Sequence, residues 1–251
     1  MNWTALDPAL LLLPFAAGLL VLATHVPLGQ RVLARGIVFL DLAVAQIAVL
    51  GVIAAHRVGW ETQGWQTQIA ATGAALTGAA LLAWCERRWP QTQEALIGSA
   101  FVVAASAAVL LLAGDPQGGE HLRDLLTGQI LWVERAQLIQ TALLYAVLLS
   151  LWWKLGDRLG RLGFYLIFAL AITASVQLVG VYLVFASLIL PALAVRTLPA
   201  HASLWGYGVG ALAYALGLGL SALSDLPAAP LIVCVLAFCA VGFSFGAGTH
   251  A

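Results

Sequence analysis

Apolar runs about as long as a bilayer is thick recur along this chain from position 8 to position 247. A bilayer core of about 30 Å needs roughly 20 apolar residues per helical crossing, and in lipid only a helix or a closed barrel satisfies its own backbone. By that measure the sequence divides into candidate spans at 8–28, 36–56, 68–85, 95–114, 136–153, 163–179, 181–196, 203–222 and 229–247. The expected fold is an all-α, polytopic transmembrane helical bundle of about nine crossings, in a single domain over 1–251. The stretch 163–195 is too long for one ordinary span and slightly short for two. Gly180, which can turn the chain tightly, is taken as the break; one long tilted helix there would leave eight crossings.

Composition agrees: 62% of the residues are hydrophobic and 9% charged, against roughly a quarter charged in an ordinary soluble domain. With 11 Lys plus Arg against 11 Asp plus Glu, there is no basic stripe to engage nucleic acid. Cys85, Cys234 and Cys239 lie in apolar runs without a C-x-x-C pair, which argues for small buried hydrophobes over a zinc site or a disulfide framework. Positions 1–7 carry no Lys or Arg, so the first segment reads as a retained helix rather than a signal peptide.

Charge sets an expected orientation. With nine crossings, Arg31, Arg35, Arg87, Arg88, Lys154, Arg158, Arg161 and Arg196 fall on one side, and Arg57, Arg123 and Arg135 on the other. By the positive-inside rule the first set is cytoplasmic, placing the N-terminus outside and the C-terminus inside. Eight crossings would set Arg196 against the other seven. Small residues at 70–80 and 206–219 suit close helix packing in the lipid. Trp60, Trp65, Trp84, Trp89, Trp152 and Trp153 stand at expected helix ends, where indoles settle among headgroups.

Against this background the polar residues inside spans stand out, since a carboxylate in the bilayer costs several kcal/mol on most scales. Asp41 is the clear case, and Gln46 follows five residues on. Five residues are about 500° of helix, so the two lie some 140° apart. The plain alternative is that Asp41 pairs with Arg35 or Arg31 near the cytoplasmic surface. Gln177, with Thr173 and Ser175, is a second buried polar group that either glues helices or binds. None of His25, His56, His121, His201 and His250 pairs with another at helical metal-site spacing, and a lone histidine at a helix end is expected to be interfacial. Glu120 and His121 are adjacent in the long external loop, where they could meet a metal ion. The segment 196–203 is either a plain connection or a cytoplasmic docking element. A G-x-x-x-x-G-K-[ST] phosphate loop is absent, so any ATP-driven motor must be another chain.

Several stretches, taken together, resemble the membrane subunit of the bacterial zinc and manganese ABC importers, the metal-type permease family. The most specific is 179–196 (VGVYLVFASLILPALAVR), similar nearly position by position to that family's V-G-x-L-L-V-x-A-L-L-I-x-P-A-x-x-A-R signature. In the family's order, 27–51 looks like its first loop and pore helix, 94–101 (EALIGSAF) like its I-G-x-x-F segment, 124–133 like its external L-x-G-x-I-L run and 223–233 like its D-x-P-x-G-x-x-I-V turn. The pore helix departs from the family. Where the family usually reads G-D-x-x-x-H, this chain has Asp41, Leu42 and Gln46 at the glycine, aspartate and histidine positions. The acid is shifted by one and the histidine is missing. The segment 227–230 (PAAP) also lacks the glycine of the last turn. Imidazole suits zinc, whereas carboxylate and amide oxygens suit harder ions such as manganese, so the loss weakens a zinc assignment without establishing manganese.

The resemblance implies the metal-type ABC importer permease fold in the bacterial inner membrane, with no cofactor of its own and ATP held on partner subunits. It implies a homodimer with the pore between the copies, two cytoplasmic ATP-binding subunits, and a periplasmic or lipid-anchored metal-binding protein delivering zinc or manganese. Asp41, Gln46 and Gln177 become transport-path candidates, and Arg196, Pro199 and His201 candidates for coupling to the ATPase. Asp41, Glu120 and His121 are the candidate metal ligands. A proton-coupled secondary transporter is the alternative, but it needs intramembrane relays that are scarce beyond Asp41. A membrane enzyme would need a paired-carboxylate or His-rich constellation at helix ends, and none is found.

Overall fold

Ten α-helices and two short 3-10 turns make up the computed structural model, which describes residues 8–61, 64–113, 115–155, 158, 160–198 and 201–248. No strand occurs among them. The helices are α1 (Pro8–Arg35), α2 (Leu40–Arg57), α3 (Trp65–Arg88), α4 (Gln93–Leu112), α5 (Gly118–Thr127), α6 (Arg135–Leu155), α7 (Gly160–Val179), α8 (Val181–Ala194), α9 (Ala202–Ser224) and α10 (Ala228–Gly248). All nine expected spans coincide with a helix. Among the described residues, seven helices are long and apolar enough to cross a membrane. At 14 residues, α8 rises only about 21 Å, short of the hydrocarbon thickness.

Two local expectations needed correction. The first span was expected to end at 28, yet α1 runs on to Arg35 through both Pro14 and Pro27. Proline is tolerated inside membrane helices because neighbouring groups re-satisfy the freed backbone carbonyls. The loop between α4 and α6 contains α5, a ten-residue amphipathic helix with Glu120 in its first turn, too short and too polar to register by the length of its apolar run.

The break at Gly180 is present. Gly180 adopts φ +81°, between the end of α7 and the start of α8. Gly128, at φ +69°, lies against it: a Cβ on either glycine would collide with the backbone of the other segment. Glycine is required at both positions, for the left-handed conformation and for the close approach.

The chain's contacts group into two compact units. The first takes residues 1–35, 126–143 and 177–251, so α1, α8, α9 and α10 pack together in it. Its helices meet closely: a side chain at Gly29 of α1 would overlap the Leu188 carbonyl of α8, and Ala186, Ala213 and Leu236 join α8, α9 and α10 in one buried cluster. Ser187 of α8 and Tyr214 of α9, both fully buried, share a hydrogen bond of 2.8 Å. The second unit takes residues 36–125 and 144–176. There α2 lies against α3 and α4, Gly78 of α3 packing on Ile47. Gln93 Nε2 donates to the Tyr165 hydroxyl at 2.7 Å, tying the start of α4 to α7. Tyr145 of α6 is bonded to Ser175 of α7 and donates to the Ala171 carbonyl.

Of the six tryptophans expected at the membrane interface, Trp152 is half-buried and packs on Phe164, with 5.8 Å between ring centroids. Trp60, Trp65, Trp84, Trp89 and Trp153 are all exposed. Trp84 and Trp89 meet edge to face at the end of α3, with the Arg88 guanidinium 5.9 Å from the Trp89 ring.

Candidate functional site

In α2 the sequence VFLDLAVAQIAVLG folds as a helix buried on nearly every side, from Leu40 to Ala55. Its start has no capping side chain of its own. Instead the Phe39 backbone N–H donates to Glu94 Oε1 at 3.3 Å, so the first turn of α4 supplies the acceptor. The helix begins at Leu40, which puts Asp41 in its first turn, nearer the end than its place in the apolar run suggests.

Asp41 is completely buried, and neither of its carboxylate oxygens has a hydrogen-bond partner. An ion pair with Arg35 or Arg31 is therefore not what satisfies it. The positive end of the α2 dipole favours an anion here, but by at most about 2 kcal/mol. Burying an uncompensated carboxylate costs several kcal/mol. The residue is thus costly to the fold as it stands. Gln46 is also buried, at 3% exposure. Because α2 is enclosed almost all round, the 140° between the two does not turn either toward solvent. Leu42 lies instead on the wall of an open apolar groove with Phe39, Gly98, Ser99 and Val102.

The other candidates fall elsewhere. Gln177 is half-buried near the end of α7 and belongs to the first unit. Thr173 is buried with its hydroxyl unpartnered, whereas Ser175 is fully bonded through Tyr145 and Ala171. Arg196 and His201 are exposed in the connection between α8 and α9, and His201 takes φ +57° immediately before α9. Pro199 lies outside the described residues.

His25, expected to be interfacial, is instead wholly buried within α1. Its Nδ1 is within hydrogen-bond distance of the Val21 carbonyl at 2.9 Å and of Thr24 Oγ1 at 3.0 Å, while Nε2 has no partner. In the first unit α1 packs against α8 and α9, a contact the apolar pattern did not show.

At the far end of α2 the structure makes a grouping that sequence spacing did not reveal. His56, Asp115 and His121 have ligand atoms within 4.8 Å of one another, the one such group of His, Cys, Asp and Glu side chains among the described residues. His121 is the residue singled out in the external loop. Its neighbours are His56 and Asp115; Glu120 is exposed and outside the group. The three come from the last turn of α2, the turn before α5 and α5 itself, so no short motif could have linked them.

A bundle of apolar helices with a few polar side chains buried among them defines a polytopic membrane protein. The family model for the ABC 3 transport family matches residues 9–246, and the chain belongs to that family. Two solved structures share the fold. PsaBC from Streptococcus pneumoniae, in complex with Fab, aligns over 97% of this chain and 95% of its own, with a TM-score of 0.77 and 18% identity. The inward-facing conformation of a transporter assigned to the metal-chelate ABC type aligns over 94% and 85%, with a TM-score of 0.65 and 18% identity. No curated protein matches the chain.

Proposed function

We propose that this chain is the permease of an ATP-driven importer that carries a divalent metal ion, zinc or manganese, across the bacterial inner membrane. The observation that carries the reading is the buried, unpartnered carboxylate of Asp41 on α2. A cation moving through hydrocarbon needs oxygen or nitrogen ligands or water at each stage, bound weakly enough to let go. A carboxylate without protein partners, with the Gln46 amide on the same helix, offers that. Both side chains are buried in this conformation, so on this reading the helices around α2 must part for the ion to reach them.

One structural neighbour is of the metal-chelate type, which supports a metal-bearing cargo, and membership of the ABC 3 family supports a separate ATP-hydrolysing chain. The working assembly on this reading is a homodimer with two ATP-binding subunits and an external metal-binding protein. On the same reading Arg196 and His201, both exposed before α9, meet the motor, with the N-terminus outside and the C-terminus in the cytoplasm.

The test is uptake of zinc and of manganese into vesicles holding this chain with its ATPase and binding protein. Uptake of one metal that stops without ATP supports the reading and names the cargo. Uptake that follows a proton gradient and ignores ATP would instead favour a proton-coupled carrier using Asp41 as relay.

A further inference from the structure

We infer that His56, Asp115 and His121 form a three-ligand binding site for a divalent transition-metal ion of the zinc class, at the end of α2 opposite Asp41. Three observations converge on it. The first is spacing. His121 Nδ1 lies 3.5 Å from Asp115 Oδ2, long for an N–H···O bond, whose usual range ends near 3.2 Å. It is close to the edge of about 3.3 Å between two ligands of a tetrahedral ion bound at 2.0–2.1 Å.

The second is preorganisation. Asp115 Oδ1 accepts the Gln117 backbone N–H at 3.0 Å, and the Asp115 carbonyl accepts that of Gly118 at 3.0 Å. This turn holds the carboxylate still and leaves Oδ2 toward His121. The His121 N–H donates to the Gln117 carbonyl at 3.0 Å, so the same turn sets the imidazole. His56 is held by the end of α2, where Gly59 and Trp60 donate back to the carbonyls of His56 and Ala55. Helix C-termini carry the negative end of the dipole, which favours a cation.

The third is chemistry. Two imidazoles with one carboxylate suit zinc and its late first-row neighbours better than manganese or calcium. Three protein ligands leave a fourth position for water or for a group on a delivering protein, the pattern of an open site rather than a closed structural one. All three residues are half-buried, so solvent reaches them. Asp41 and His56 are 15 positions apart, about 22 Å along the helix. If this end faces outward, as the proposed import requires, the site stands at the mouth from which ions enter. That placement rests on the import reading; the binding itself does not.

The rival is a purely structural role, because the His56 and His121 rings also meet edge to face, 5.1 Å between centroids at 83°. His121→Phe separates the two: it keeps a ring in the contact and removes the ligand. The experiment uses the full chain in detergent, without a polyhistidine tag, titrated with Co2+ and then with Zn2+ against a chromogenic chelator. The expected result is one equivalent of Zn2+ bound per chain, with visible d–d bands of four-coordinate Co2+ that Zn2+ displaces. His121→Phe and His56→Phe should weaken binding about tenfold or more and abolish the bands. Glu134→Gln, an exposed carboxylate outside the group, should leave them unchanged. Unaltered binding in both Phe variants, loss of binding in Glu134→Gln, or no stoichiometric binding by the wild type would each overturn the proposal. Metal-dependent uptake with Phe-insensitive binding would remove this site and keep the import reading. Binding that follows His56 and His121 in a chain that moves no metal would do the reverse.

Discussion

Asp41 and Leu42 are neighbours that face different surroundings: the carboxylate is sealed inside the protein without a partner, and the leucine lines an open apolar groove with Phe39 and Ser99. One residue of α-helix is a rotation of about 100°. The resemblance to the metal-type permeases implies an acid at the Leu42 position, on the groove wall; the acid of this chain, one residue earlier, lies in the interior.

Stability and transport should therefore part company at this position. Asp41→Leu removes a buried, uncompensated polar group and should stabilise the chain by about 1–3 kcal/mol, while metal uptake falls at least about tenfold. Melting in detergent beside vesicle uptake measures both. A destabilised variant would mean that the carboxylate has a partner in the working protein; unchanged uptake would remove it from the path.

Gly180 and Gly128 should tolerate no side chain. Gly180→Ala forces a Cβ into the Gly128 backbone at φ +81°, and should cost about 2 kcal/mol or more from backbone strain and overlap together. Gly73 of α3, with open space around it, is the control: Gly73→Ala should be neutral or stabilising by up to about 1 kcal/mol. Equal effects at the two sites would refute the close approach.

The hydrogen bond between Ser187 and Tyr214 joins α8 to α9 where both are completely buried. Tyr214→Phe leaves the ring packing and removes the hydroxyl, and should cost roughly 0.6 to 1.7 kcal/mol, the range measured for polar pairs between membrane helices. The double variant with Ser187→Ala should add little beyond it. Additive losses would show that the two hydroxyls act separately.

Arg196 and His201 flank the start of α9 on the exposed surface. If this connection receives the motor's movement, Arg196→Ala should leave the complex assembled and hydrolysing ATP while uptake per ATP falls several-fold. His201→Gly relieves a left-handed residue and should stabilise the chain by up to about 1 kcal/mol, so a loss of coupling in that variant would not reflect misfolding. Full coupling in both would make the segment a plain connection.

Much of this protein was legible in one dimension because lipid imposes a one-dimensional rule. A helix must be apolar for the length of its crossing, so nine apolar helices, the short α8 among them, and the break at Gly180 follow from run length and a single glycine. Asp41 was conspicuous for the same reason, as an acid where acids are costly. What hydropathy cannot report is which way a residue faces inside an apolar helix, since every direction is apolar. Only the packing of α2 against α3 and α4 showed that Asp41 is enclosed and unpaired while Leu42 is not. Likewise α1 continues through Pro27, where the local sequence would interrupt a helix, and His25 within it is buried in a unit where α1 packs on α8 and α9. The His56, Asp115 and His121 group lay furthest from the sequence's reach. A whole helical hairpin separates His56 from Asp115 and His121, and of the three only His121 stood out in the sequence as a ligand. Their proximity was decided by the tertiary structure alone, because ligand geometry is a property of distances in space, and the chain must fold before those distances exist.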